Sequence, residues 1–130
     1  MDAAAGAVPH PHGIILVIEH DLATRETLAL MLRYYGYEVT AARDGREATS
    51  LLAHMTPDLV VMDWRAPGLS GFPLCLAFRR RWPMMPIVVV TASDEVFDGD
   101  QPVNAWLQKP IDAPLLNRVI HDELAPVRSR

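Results

Sequence analysis

A single cysteine, Cys75, excludes an intrachain disulfide framework and fits a reducing, cytoplasmic setting. No apolar run approaches the roughly 20 residues of a membrane span, and no charged-then-apolar leader opens the chain, so neither a membrane segment nor a secretory signal is expected. An excess of positive charge is also missing. With 12 Lys and Arg against 16 Asp and Glu, the net charge of −4 argues against a general nucleic-acid surface. The one dense basic run, "RRRW" at 79–82, belongs to a helix end, where arginines meet solvent and terminal carbonyls. What remains is 130 residues, 50% of them apolar, enough for one domain with a sizeable core. The opening "MDAAAGAVPHPH" is small, Pro-containing and aperiodic. It reads as a flexible tail over 1–12, with His10 and His12 solvated rather than metal-bound.

Past that tail, short aliphatic runs alternate with amphipathic stretches, the pattern of βα units building a parallel sheet. Strands are expected at 13–18, 37–42, 58–63, 86–92 and 105–109. Leu28, Met31, Leu32 and Tyr35 recur at helical spacing, with Gly36 at the C-terminal stop. Asp44 and Glu47 have capping-box spacing ahead of Ala48, Leu51, Leu52 and Met55. Ser70 caps a third helix carrying Leu74, Ala77 and Phe78 and ending near Trp82-Pro83. Asp112 caps a last helix with Pro114 in its first turn and Leu116, Val119, Ile120 and Leu124 turned inward. Between the last two strands, "SDEVFDGDQPVN" (93–104) lacks an apolar helical face and contains Gly99 and Pro102, so a fourth helix is short or missing. Its Asp94, Glu95, Asp98 and Asp100 lack the ordered spacing of a calcium loop and read as a solvated acidic segment.

In an open parallel sheet, chemistry gathers at the carboxyl ends of the strands. There the first strand delivers Glu19, His20 and Asp21, the third Asp63, the fourth Thr91 and the fifth Lys109 followed by Pro110. Taken singly, an Asp after a strand is usually a turn former and a Lys-Pro usually just a turn. Together, a carboxylate cluster, a hydroxyl and a lysine on one rim can hold a divalent cation and a phosphoryl group.

In "ILVIEHD", "PDLVVMDWRAPGLSG", "VVVTAS" and "WLQKP", in that order, the chain resembles the receiver domain of bacterial two-component response regulators over about 13–125, leaving 126–130 as a C-terminal tail. The resemblance implies a flavodoxin-like (βα)5 fold, a doubly wound five-stranded parallel sheet. It also implies a phosphoprotein rather than an enzyme, with at most self-phosphorylation and autodephosphorylation. Asp63 would accept a phosphoryl group from the phosphohistidine of a sensor histidine kinase. Thr91 would hydrogen-bond the phosphoryl oxygens and Lys109 would pair with them. Glu19, Asp63 and the backbone carbonyl of Arg65 would hold Mg2+, and the Lys109-Pro110 peptide would be cis. Trp106 stands where a tyrosine or phenylalanine usually follows the switch inward; its indole is bulkier and its N–H needs a partner. Ser93 and the Arg65 side chain are the positions expected to modulate the site.

His20 is the main departure, because it occupies the second acidic-pair position, where the family usually has an aspartate. Magnesium prefers oxygen in a strict octahedron, whereas imidazole suits zinc, nickel, copper or iron. Weaker Mg2+ binding, or use of Mn2+, is the expectation. His20 could instead be protonated beside Glu19 and Asp63 and supply positive charge, or belong to a pocket that no longer reacts. Asp21 is better used as the cap of the first helix. Arg65 either reaches over the phosphoryl group or points into solvent. The short 93–104 segment puts the fourth-helix face used for dimers and output in doubt. The expected function is a stand-alone receiver signalling through protein contacts, homodimers among them, with a phosphorylation-independent binding module as the alternative. Two other readings fit worse. A dehalogenase-type phosphohydrolase would need an Asp at position 65, and an FMN protein would need a Ser/Thr/Gly-rich loop after the first strand.

Overall fold

The computed structural model describes residues 12–65, 71–92 and 94–128. The expected tail up to residue 11, the Ser70 cap and Ser93 lie outside the described residues. Five strands alternate with four helices: β1 (Ile14–Ile18), α1 (Leu22–Tyr34), β2 (Glu38–Ala42), α2 (Gly45–Leu51), β3 (Leu59–Met62), α3 (Gly71–Arg81), β4 (Ile87–Thr91), β5 (Ala105–Gln108) and α4 (Ala113–Arg128). All pairings are parallel, and the order across the sheet is β2-β1-β3-β4-β5. This is the flavodoxin-like doubly wound arrangement. The chain reverses direction across the sheet between β1 and β3, which opens a crevice beyond their carboxyl ends.

The central strands are apolar up to Thr91 at the end of β4 because both sheet faces are covered. Ile15, Val17, Leu59, Val61, Val88 and Val90 pack with Leu28 and Leu32 of α1 and Leu116, Ile120 and Leu124 of α4. Their neighbours Leu16, Ile18, Val60, Met62, Ile87 and Val89 face the other way, against Ala48 of α2 and Leu74, Cys75 and Phe78 of α3. Alternate residues thus serve opposite layers, as the period-two pleat requires. The α3 face differs from expectation: Ala77 is exposed and Cys75 is fully buried. Cys75 Sγ lies 3.6 Å from Met62 Sδ, and burial pushes its thiol up to about 12, so it is an inert core residue.

The helix ends follow local chemistry. Asp21 caps α1, its carboxylate accepting from the Thr24 amide at 2.9 Å and the Thr24 hydroxyl at 2.7 Å. Gly36, at φ +95°, stops that helix: its own N–H donates to Arg33 O at 3.0 Å while Tyr37 N–H donates to Leu32 O at 3.1 Å. Asp44 caps α2, its Oδ1 accepting from Glu47 N–H at 2.8 Å, while Glu47 Oε1 accepts from Arg43 N–H at 2.7 Å, one residue before the N-cap position expected for a capping box. Helix α4 runs to Arg128.

Among the described residues, no helix forms between β4 and β5. The start of β5 is tied down instead by Asn104, whose Oδ1 accepts from Ile87 N at 2.9 Å and from Arg79 Nη2 at 2.6 Å, while its own N–H donates to Ile87 O at 2.8 Å. Arg79 also donates to Met85 O. The first arginine of the basic run is therefore a structural brace rather than a solvated residue. Asn104→Ala removes both side-chain bonds and leaves the Ile87 amide unpaired, and should cost about 1–2 kcal/mol in urea denaturation.

Candidate functional site

The strand ends deliver two carboxylates to one place. Glu19 continues β1, its N–H bonded to Ala42 O of β2 at 2.9 Å; Asp63 continues β3, its N–H bonded to Ile18 O at 2.9 Å. Their backbones are held by neighbouring strands, which fixes where both side chains start. They are only 1% and 5% exposed. Isolated charges at that depth are costly, and the fold brings a cation to them. Lys109 follows β5, its amide donating to Thr91 O at 2.9 Å, and the Lys109-Pro110 peptide is cis. Its Nζ lies 2.8 Å from Glu19 Oε1 and 3.4 Å from Asp63 Oδ2. Thr91, fully buried, ends β4 between these elements.

The second oxygen of each carboxylate has a backbone donor. Asp21 N–H reaches Glu19 Oε2 at 3.1 Å, and Arg65 N–H reaches Asp63 Oδ1 at 3.1 Å. His20 stands at the mouth, 47% exposed, its Nδ1 3.4 Å from Glu19 Oε2 and 3.6 Å from Asp63 Oδ2. Asp21 is engaged as the cap of α1 and stays out of the cluster. Arg25, which sequence reasoning missed, braces this turn by donating from Nη1 to Glu19 O at 2.9 Å. Its position one helical turn past Asp21 carries no signal that its target is a strand-end carbonyl.

Among the described residues, Glu19, His20 and Asp63 form the only cluster of three or more potential metal ligands, with donor atoms within 4.8 Å of one another. The acidic residues of 94–100 do not join it. Two carboxylates suit a hard cation such as Mg2+; the imidazole does not, since Mg2+ takes oxygen in near-ideal octahedra.

A second group lies beside the pocket. Trp64, directly after Asp63, packs on Trp106 with ring centroids 5.0 Å apart, and Phe97 stacks on the other side of Trp106 at 5.9 Å and 6°. The indole Nε1 of Trp106 is buried with no hydrogen-bond partner among the described residues. Arg65 Nη2 pairs with Glu95 at 3.1 Å at the surface, so its largely exposed side chain reaches toward the β4–β5 segment. Gly71 opens α3 at φ +58°, where a Cβ would meet Trp64 O at 3.0 Å. Only a glycine lets α3 start this close to Trp64. Sequence reasoning missed Trp64 and Phe97, because aromatic partners brought together from the turn after β3, the β4–β5 segment and the start of β5 have no local spacing.

Burial alone would lower the pKa of Lys109, but the Glu19 hydrogen bond and the charges of Asp63 and Glu19 outweigh it and hold the ammonium above the ordinary lysine value. The folded state therefore binds this proton more tightly than the unfolded state. Its stabilisation is complete below the unfolded lysine value of about 10.4 and is lost as pH rises through the folded one. The stability difference between wild type and Lys109→Met, measured by urea denaturation, should be constant from neutral pH to about pH 10 and shrink above it.

Comparison with known proteins agrees with this geometry. The sequence profile of the response regulator receiver domain matches residues 15–121. Response regulator MprA of Mycolicibacterium vanbaalenii is 41% identical over 100 residues, 74% of this chain and 43% of MprA. The chain thus spans less than half the length of that relative. A putative response regulator from Chloroflexus aurantiacus superimposes with a TM-score of 0.80 at 29% identity, covering 87% of this chain and 98% of its own. Chemotaxis protein CheY4 of Vibrio cholerae does so at 0.79 and 25%, covering 85% and 98%. With a profile match across most of its length and two carboxylates and a lysine converging at the strand ends, the chain belongs to the response regulator receiver domain family.

Proposed function

We propose that Asp63 accepts a phosphoryl group from the phosphohistidine of a sensor histidine kinase, and that the phosphorylated domain signals through protein contacts. The observation that supports this most directly is Lys109 Nζ bridging Glu19 at 2.8 Å and Asp63 at 3.4 Å beside the buried Thr91. A carboxylate attacking a phosphoryl group brings like charges together, so a positive group must already be aimed at the place where charge develops. In the transfer, an Asp63 oxygen forms the new O–P bond as the N–P bond breaks, and the imidazole leaves with the electron pair. Lys109 then pairs with the phosphoryl oxygens, and the Thr91 hydroxyl donates to them. A divalent cation held by Glu19, Asp63 and the Arg65 carbonyl would supply further positive charge. The domain acts as a phosphoacceptor, not as a classical enzyme.

Transmission follows from what Asp63 is joined to. Trp64 is its chain neighbour, and the Trp64–Trp106–Phe97 stack with the Arg65–Glu95 pair links that turn to the β4–β5 segment. Rearrangement at the acyl phosphate would be read at this segment, where Val96 and Phe97 are exposed. Trp106 acts here as a fixed coupling residue instead of a rotating one. A second reading, a phosphorylation-independent binding module, draws support from His20 at an acidic position.

Intact mass after incubation with acetyl phosphate and a divalent cation separates the two. Wild type should gain one phosphoryl group and Asp63→Asn none, while Lys109→Ala should react roughly 100-fold more slowly. No gain with acetyl phosphate or with a phosphorylated kinase would leave the binding module. Tryptophan fluorescence should change on phosphorylation of wild type, and the change should be much reduced in Trp106→Phe.

A further inference from the structure

We infer that the Glu19–His20–Asp63 pocket is a nitrogen-accepting site for a borderline first-row cation of the Zn2+ class, and not a Mg2+ site. The donor geometry carries this. His20 Nδ1 stands 3.4 Å from Glu19 Oε2 and 3.6 Å from Asp63 Oδ2. Metal–nitrogen and metal–oxygen bonds of about 2.1 Å in a tetrahedron separate the donors by about 3.4 Å. Mg2+ takes oxygen donors in near-ideal octahedra, and the imidazole nitrogen that makes both of these edges is not one of them. The two observed edges therefore fit the first shape with little movement. With His20 47% exposed at the mouth, a fourth position can open toward solvent.

Charge points the same way. Glu19 and Asp63 carry two negative charges against one on Lys109, which lies within 3.4 Å of both. An aspartate at position 20 would add a third negative charge and a third hard oxygen; histidine adds neither. A hard, strongly hydrated ion is held mainly by charge and so loses most from this exchange, whereas a softer ion regains affinity from the imidazole. Glu19 is held by the Asp21 amide and Asp63 by the Arg65 amide, so both keep their place for a cation.

The inference shares Asp63 with the phosphoacceptor reading, but its test contains no phosphoryl donor, so either can fail alone. Zn2+ and Mg2+ are titrated separately into the whole chain by calorimetry, with intrinsic tryptophan fluorescence as a second readout. Most sites bind Zn2+ more tightly than Mg2+, so the deciding quantity is how the affinity ratio changes on substitution. His20→Asp should lower the Zn2+ to Mg2+ affinity ratio by roughly tenfold or more, with Zn2+ weakened and Mg2+ strengthened. His20→Asn, which adds no charge, should weaken Zn2+ without strengthening Mg2+. A ratio unchanged by His20→Asp, Zn2+ binding that survives in both variants through other histidines, no Zn2+ binding by wild type, or tighter Mg2+ than Zn2+ in wild type would each overturn it.

Discussion

Two buried carboxylates at one strand-end rim set the terms for everything around them. Glu19 and Asp63 lie at 1% and 5% exposure because β1 and β3 are adjacent and end together at the point where the chain order reverses. Burying like charges side by side is unfavourable unless a cation is supplied at hydrogen-bonding distance. Lys109 meets that need from the far edge of the sheet, reaching Glu19 at 2.8 Å. Two carboxylates against one ammonium leave the rim with net negative charge, which favours a further cation.

The β4–β5 connection shows how a fold absorbs the loss of a helix. A βα unit normally covers its sheet edge with that helix, and without it β5 has less burial than the central strands: its residues are half-buried or exposed, where β4 is buried throughout. Polar and aromatic contacts take over. Asn104 and Arg79 fasten the entry to β5, Gln101 Nε2 bonds Val96 O at 3.0 Å within the segment, and Phe97 lies flat on Trp106. Trp106 is held there despite an indole N–H without a partner among the described residues, because aromatic area buried against Trp64 and Phe97 offsets one lost hydrogen bond. The β4–β5 segment is thereby joined to Trp64, the residue after Asp63, instead of to an amphipathic helix.

What was legible in the sequence is what local chemistry decides. Strand-length aliphatic runs flanked by Asp21, Gly36, Asp44 and Asp112 placed every strand and every helix, since caps and the period-two or 3.6-residue patterns act over a few residues. The flat composition of 93–104 announced a missing helix. Glu19, Asp63, Thr91 and Lys109 were readable as one rim because a parallel sheet puts every strand end on the same side. Ala77, expected on the inner face of α3, is exposed while Cys75 packs toward Met62, a register that helical spacing alone leaves open within one residue.

The sequence by itself therefore determined the element order, the doubly wound class and which residue types reach the rim. Only the tertiary structure decided who touches whom there. It paired Lys109 with Glu19 across 90 positions, gave Arg65 to Glu95, put Arg25 on a strand-end carbonyl, and aimed His20 Nδ1 between two carboxylates. Those outcomes depend on distances of a few ångströms between residues far apart in the chain. Such distances follow from how layers pack and where strands end relative to one another, information that no local pattern carries.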